Sequence, residues 1–179
     1  MKRILTSLAL FGAAAAATVL YTAIVRATPA TSGFAGTTLA VGRFEEIDVF
    51  NRLKLEEVAD RFKKPKKNVW QSMQRTKGDS DLYIQSNVWQ PGADTGWHTH
   101  PGHSLIIVTA GKVMVYEGDD PSCTPTEYSA GTGFVDEGGE HVHIIRNETG
   151  IPASTIAAQL LPAGAARRID APDPGNCHF

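Results

Sequence analysis

Imidazole dominates the chemistry that this chain can offer. Of its six histidines, His98, His100, His103, His141 and His143 fall within one stretch, and two sets follow an i, i+2 spacing. Residues two apart on a β-strand project from the same face, so His98 and His100 can converge, and so can His141 and His143. Neutral imidazoles held a few ångströms apart suit a divalent cation, and three of them leave positions open for water or a substrate. An isolated histidine is more often a hydrogen-bonded structural or surface residue. Clustering with paired spacing is what points to a metal. No glycine-rich phosphate loop, nucleophile elbow or Cys–His nucleophile pair competes with this signal.

Bringing histidines together from two distant stretches takes strands that fold back on one another. The sequence from Asn68 onward supplies them. Strands are predicted over Asn68–Arg75, Asp81–Gln90, His103–Ala110 and Lys112–Glu117, then around Tyr128, Gly133–Asp136, His141–Asn147 and Ser154–Leu161. Turn clusters such as Pro91-Gly92-Ala93-Asp94, Ala110-Gly111 and Gly138-Gly139 separate them, which argues for an all-β sandwich or barrel. Upstream, residues 31–38 read as a linker and Thr38–Val49 as a first strand. Leu53, Leu55, Val58 and Phe62 lie close to helical spacing and predict one short helix over Asn51–Phe62. Lys63-Lys64-Pro65-Lys66-Lys67 reads as a solvated loop. The expected organisation is a leader at 1–30, a linker, first strand and short helix at 31–67, a barrel at 68–170 and a tail at 171–179.

The motif spacing is more specific than the strand pattern. Gly96-Trp97-His98-Thr99-His100-Pro101-Gly102-His103-Ser104, followed by six residues and Gly111, resembles the first motif of the cupin superfamily. That motif runs His-x-His, three or four residues, Glu, six residues, Gly. The second motif ends in His, three residues, Asn, and His143-Ile144-Ile145-Arg146-Asn147 is similar to it; upstream, Gly131 and Glu137-Gly138-Gly139 resemble its glycine portion, with glutamate where proline is usual. The resemblance spans about Leu82 to Leu161. It implies a double-stranded β-helix, a small jelly-roll barrel, with a metal at its mouth held by His98, His100 and His143. The metal would be Fe, Mn, Ni or Zn. Counting from Gly138 instead selects His141, which stays as the alternative ligand or a supporting residue; Asn147 as register anchor favours His143. The family's glutamate ligand falls at Ser104, which cannot act as a carboxylate, although some cupin dioxygenases use three histidines alone. Glu137 or Glu140 is the expected source of a carboxylate near the mouth. Alternation turns His103 away from His98 and His100. Trp89 and Trp97 read as packing residues rather than a substrate platform. Asn147-Glu148-Thr149 matches a glycosylation acceptor pattern, but the cupin motif explains Asn147 better.

Composition excludes several other classes. The 179 residues carry 17 Lys and Arg against 19 Asp and Glu, a formal balance of −2 that gives no footprint for nucleic acid. Met1-Lys2-Arg3 precedes an uncharged, alanine-rich run from Ile4 to Val25 and then Arg26, the pattern of an export signal or an N-terminal membrane anchor. Cleavage would fall near Thr28-Pro29-Ala30, with Val25-Arg26-Ala27 as the alternative. The rest of the chain is therefore expected outside the cytoplasm, secreted or periplasmic, and tethered if residues 4–25 stay in the membrane. In that setting Cys123 and Cys177 are expected to form a disulfide that ties down the tail. Three functions follow. One is a metal-dependent cupin enzyme acting on a small molecule. Another is a non-catalytic cupin that binds a small ligand without metal. The third is a structural module whose barrel edge forms a homodimer. Ser104 shifts weight from the first toward the second, and turnover is left undecided.

Overall fold

The computed structural model describes residues 27–55 and 68–179. All regular structure in them is β. The strands are β1 (Phe34–Phe44), β2 (Asp48–Leu55), β3 (Asn68–Arg75), β4 (Ser80–Trp89), β5 (His98–Thr99) and β6 (Ser104–Ala110). They continue with β7 (Lys112–Glu117), β8 (Thr126–Ser129), β9 (Gly133–Asp136), β10 (His143–Arg146), β11 (Ala153–Pro162) and β12 (Ile169–Asp170).

Two five-stranded sheets form the double-stranded β-helix, ordered β1-β4-β11-β6-β9 and β12-β5-β10-β7-β8, all pairs antiparallel. The alternation that predicted strands also sets which side chains meet. In β11 every second residue from Ala153 to Leu161 is buried, and β6 and β9 bury Ser104, Ile106, Val108, Phe134 and Asp136. Trp89, Ile106, Val108, Val113, Val115, Phe134 and Ile145 pack between the sheets as the main core. Burying such side chains contributes roughly 1.5–3 kcal/mol each, which holds the sheets in register.

The inward face of the first sheet changes character along its strands. Where the apolar row ends, Gln159 pairs with Ser104 and Ser104 pairs with Asp136 across β11, β6 and β9. All three are buried, so a polar row crosses the sheet at one end of the sandwich. The histidine strands lie on the facing sheet.

A second cluster holds Trp97, Tyr116, Ile144, Ala171 and Cys177. The Cys123–Cys177 disulfide is present and binds the C-terminal segment to the β7–β8 connection.

Two expectations change. Residues 51–55 are strand, not helix, and pair with β3 as far as Asn68. The two-residue step from Leu53 to Leu55 is strand periodicity, and pairing satisfies the backbone groups that the two strands turn toward each other; the rest of the expected helix, 56–62, lies outside the described residues. The first strand begins at Phe34, inside the stretch read as linker, and an irregular stretch at 45–47 divides what was expected as one strand into β1 and β2, which join different sheets. The leader to residue 26 and the lysine cluster at 63–67 also lie outside the described residues. Among the described residues, no helix is long and apolar enough to cross a membrane.

Candidate metal centre

His98 and His143 sit directly opposite each other where β5 pairs with β10. His100 follows one residue after β5, on the face that His98 shares. The three rings gather at one point, with centroids 4.4 Å apart for His98–His143, 4.9 Å for His98–His100 and 5.8 Å for His100–His143. One ring nitrogen from each lies within 4.8 Å of the others. His98 and His143 are almost wholly buried, at 4% and 3% exposure.

Hydrogen bonds orient two of the rings. His98 Nδ1 lies 2.9 Å from the carbonyl oxygen of Gly96, and His100 Nδ1 lies 2.5 Å from that of Arg167. A carbonyl accepts only, so each Nδ1 carries a proton, and in the neutral ring Nε2 is left as the ligand nitrogen. Metal-binding histidines commonly donate their second ring N–H in this way. His143 Nε2 is buried without a hydrogen-bond partner. Leaving such a nitrogen unsatisfied costs about 1–3 kcal/mol, which a bound cation would recover. Burial drives the His98 imidazole far below its usual range, with the charges of His143, Arg168 and His100 acting in the same direction. Burial also lowers His143, opposed by the carboxylate of Asp136. Both rings therefore present neutral nitrogens. The donor set fits a divalent ion.

The rings open on a cavity of about 200 Å³ between the sheets. Trp89, Ile106 and Ile145 form apolar wall; Gln159, Ser104 and Asp136 contribute the polar row; Arg167 and Arg168 stand at the same cavity. Arg168 pairs with Asp170 through Nε, while its Nη2 is buried and unpartnered. Arg167 donates to Gln159 at 3.2 Å and lies over the Tyr83 ring.

The other expected residues fall elsewhere. His141 is exposed, with Nε2 3.2 Å from Glu137, and is not among the three converging rings. Its neighbour Val142 absorbs the extra position, so the strand starts at His143. His103 lines a different cavity, beside Met73 and Leu160. Glu137 and Glu140 are exposed; the carboxylate at the rings belongs to Asp136, which sequence reasoning missed. Its Oδ2 is 3.2 Å from His100 Nε2 and its Oδ1 is 3.8 Å from His143 Nδ1. The only sequence signal was its inward position in the strand Gly133–Asp136. Trp89 and Trp97 are buried packing residues. Asn147 is fully buried and donates to the carbonyls of Trp89 and Ile151, so its role is structural.

Fold and site together define a double-stranded β-helix with a histidine-lined cavity at one end. Residues 87–158 match the cupin domain family, and this part of the chain is a cupin domain. No curated protein matches by sequence. Among solved structures, a Klebsiella pneumoniae subsp. pneumoniae protein with a double-stranded β-helix domain is 21% identical over 50% of this chain and 74% of that one, with a TM-score of 0.42. A cupin superfamily protein of Desulfitobacterium hafniense is 12% identical over 63% of this chain and 78% of that one, with a TM-score of 0.39. An oxalate oxidase is 18% identical with a TM-score of 0.39, and the match covers 46% of each chain, so under half the length of that enzyme is spanned.

Proposed function

We propose that this chain is an exported cupin that holds a divalent metal ion, Fe, Mn, Ni or Zn, through His98, His100 and His143, and binds or acts on a small molecule in the adjoining cavity. The observation that carries the reading is the convergence of three ring nitrogens with His143 Nε2 buried and unpartnered. A bound ion would act as a Lewis acid, polarising a carbonyl or activating water or dioxygen.

The chain's own groups do the rest. Gly96 and Arg167 fix the tautomers and ring planes of His98 and His100 through their carbonyls. Trp89 and Ile106 exclude water from the inner end of the cavity. Arg168 lines the same cavity and brings positive charge to it, and its Nη2 has no hydrogen-bond partner. The Cys123–Cys177 disulfide suits an oxidising compartment and supports export through the leader at 1–30.

Metal content of the purified protein, compared with a His98→Ala/His100→Ala variant, tests the reading. One equivalent of a first-row divalent ion is expected in the native protein and less than a tenth of that in the variant. Equal content in both would leave the second reading, a metal-free module that binds a small ligand, which Ser104 at the family's glutamate position favours.

A further inference from the structure

The resemblance expects a glutamate at residue 104, and the chain has serine there. Ser104 is directly paired with Asp136 across β6 and β9, and both side chains point inward, at 2% and 6% exposure. We propose that Asp136 is the fourth, carboxylate ligand of the metal centre, reaching from the neighbouring strand into the place that Ser104 leaves vacant. The inference rests on the metal reading above.

Contacts around Asp136 call for a cation. His100 Nδ1 is committed to the Arg167 carbonyl, so Nε2 presents a lone pair toward Asp136 Oδ2 at 3.2 Å. In a neutral ring that lone pair and a carboxylate oxygen repel each other at this distance, and a cation between them, a metal ion or the proton of an imidazolium, relieves the repulsion. Two ligand atoms each about 2.1 Å from one ion, at neighbouring coordination positions, stand about 3 Å apart. The second oxygen is 3.8 Å from His143 Nδ1, the nitrogen across that ring from the unpartnered Nε2, so Asp136 joins the three histidines, which group without it within 4.8 Å, by turning its carboxylate toward them.

Apart from the two histidines, no cationic side chain stands against this group among the described residues. Among the described residues Asp136 has no lysine or arginine partner; its hydrogen bonds come from the Gly138 backbone N–H at 3.0 Å and the Ser104 hydroxyl at 3.4 Å. A carboxylate this deeply buried is costly without a countercharge. The same two donors aim it, one on each oxygen. A glutamate at 104 would put a second carboxylate opposite the first, whereas serine leaves room and supplies a hydrogen bond.

Titration of chelator-treated protein with Co²⁺, followed by affinity and by visible absorption, tests the assignment. Asp136→Asn is expected to weaken binding at least about tenfold and to change the absorption band. Ser104→Ala is expected to stay within about threefold of the native affinity, because it removes only a hydroxyl that orients the ligand. Adding Ser104→Glu to Asp136→Asn should restore affinity and band by moving the carboxylate across the strand pair. This double variant keeps the test decisive if Asp136→Asn alone folds poorly. Native affinity with an unchanged band in Asp136→Asn would overturn the inference while leaving the metal reading intact. Weakened binding with an unchanged band would also overturn it, making Asp136 a positioning residue for His100. No Co²⁺ binding by the native protein would sink the metal reading itself.

Discussion

Neutral imidazoles in a closed sheet make the metal-free fold sensitive to acid. His98 and His143 are lowered by burial, so they stay unprotonated in the folded chain where they would titrate near 6.5 in the unfolded one. Below about pH 6.5 the unfolded chain binds protons at these positions that the folded chain does not. Stability is therefore fully present above that pH and is lost as the pH falls, by up to about 1.4 kcal/mol per pH unit for each such histidine. Melting temperatures of the metal-free protein should be level above about pH 7 and drop from about pH 6.5 to about pH 5, and His98→Asn should reduce the drop. A native profile that is already flat over that range would contradict neutral burial.

At the scale of elements, the turn between β9 and β10 holds the histidine segment in place. The Gly139 N–H donates to the His100 carbonyl at 2.7 Å, and the Thr99 hydroxyl donates to the Gly139 carbonyl at 2.8 Å. Gly138 and Gly139 both have φ of +67°, in the left-handed region. Their surroundings differ. A Cβ on Gly138 would stand 2.3 Å from the Gly102 carbonyl oxygen and 2.9 Å from that of His100, whereas one on Gly139 would meet nothing within 4 Å. Gly139→Ala should therefore cost only backbone strain, about 1 kcal/mol, and Gly138→Ala about 3 kcal/mol because backbone must also move. Denaturant unfolding of the two variants checks the difference, and equal costs would remove the steric account. Only Gly138→Ala should also weaken metal binding, because the backbone it displaces carries His100.

Considered as a whole molecule, the tail covers the outer face of the sheet that carries the histidines. The disulfide spans a sequence separation of 54 residues, for which the chain-entropy model gives about 4 kcal/mol. Beyond it, Phe179 packs edge-on to Tyr116 at 4.9 Å and beneath the Arg146 guanidinium at 3.8 Å. Its ring also lies 6.4 Å from that of Trp97, the residue before His98. Replacing both cysteines with serine should lower unfolding free energy by about 4 kcal/mol, measured in denaturant, and expose Trp97 to fluorescence quenchers. A variant as stable as the native protein would show that Phe179 and its neighbours hold the tail without the covalent link.

Much of the site was legible because strand periodicity is local. Alternation of side chains follows from backbone geometry, so the strands after Asn68 and the shared face of His98 and His100 could be read directly. His143 could be chosen over His141 because Asn147 anchors the end of its strand, and that side chain is indeed fully buried between the carbonyls of Trp89 and Ile151. What the chain's order could not disclose depends on pairing between distant segments. Asp136 meets His100 only through the register that sets it opposite Ser104, and residues 51–55 become strand only because β3 lies beside them. Cross-strand register is decided by the packing of the two sheets, and a one-residue slip would turn Asp136 to solvent. Local sequence therefore determined which groups were available. The closed tertiary fold decided which of them face one another.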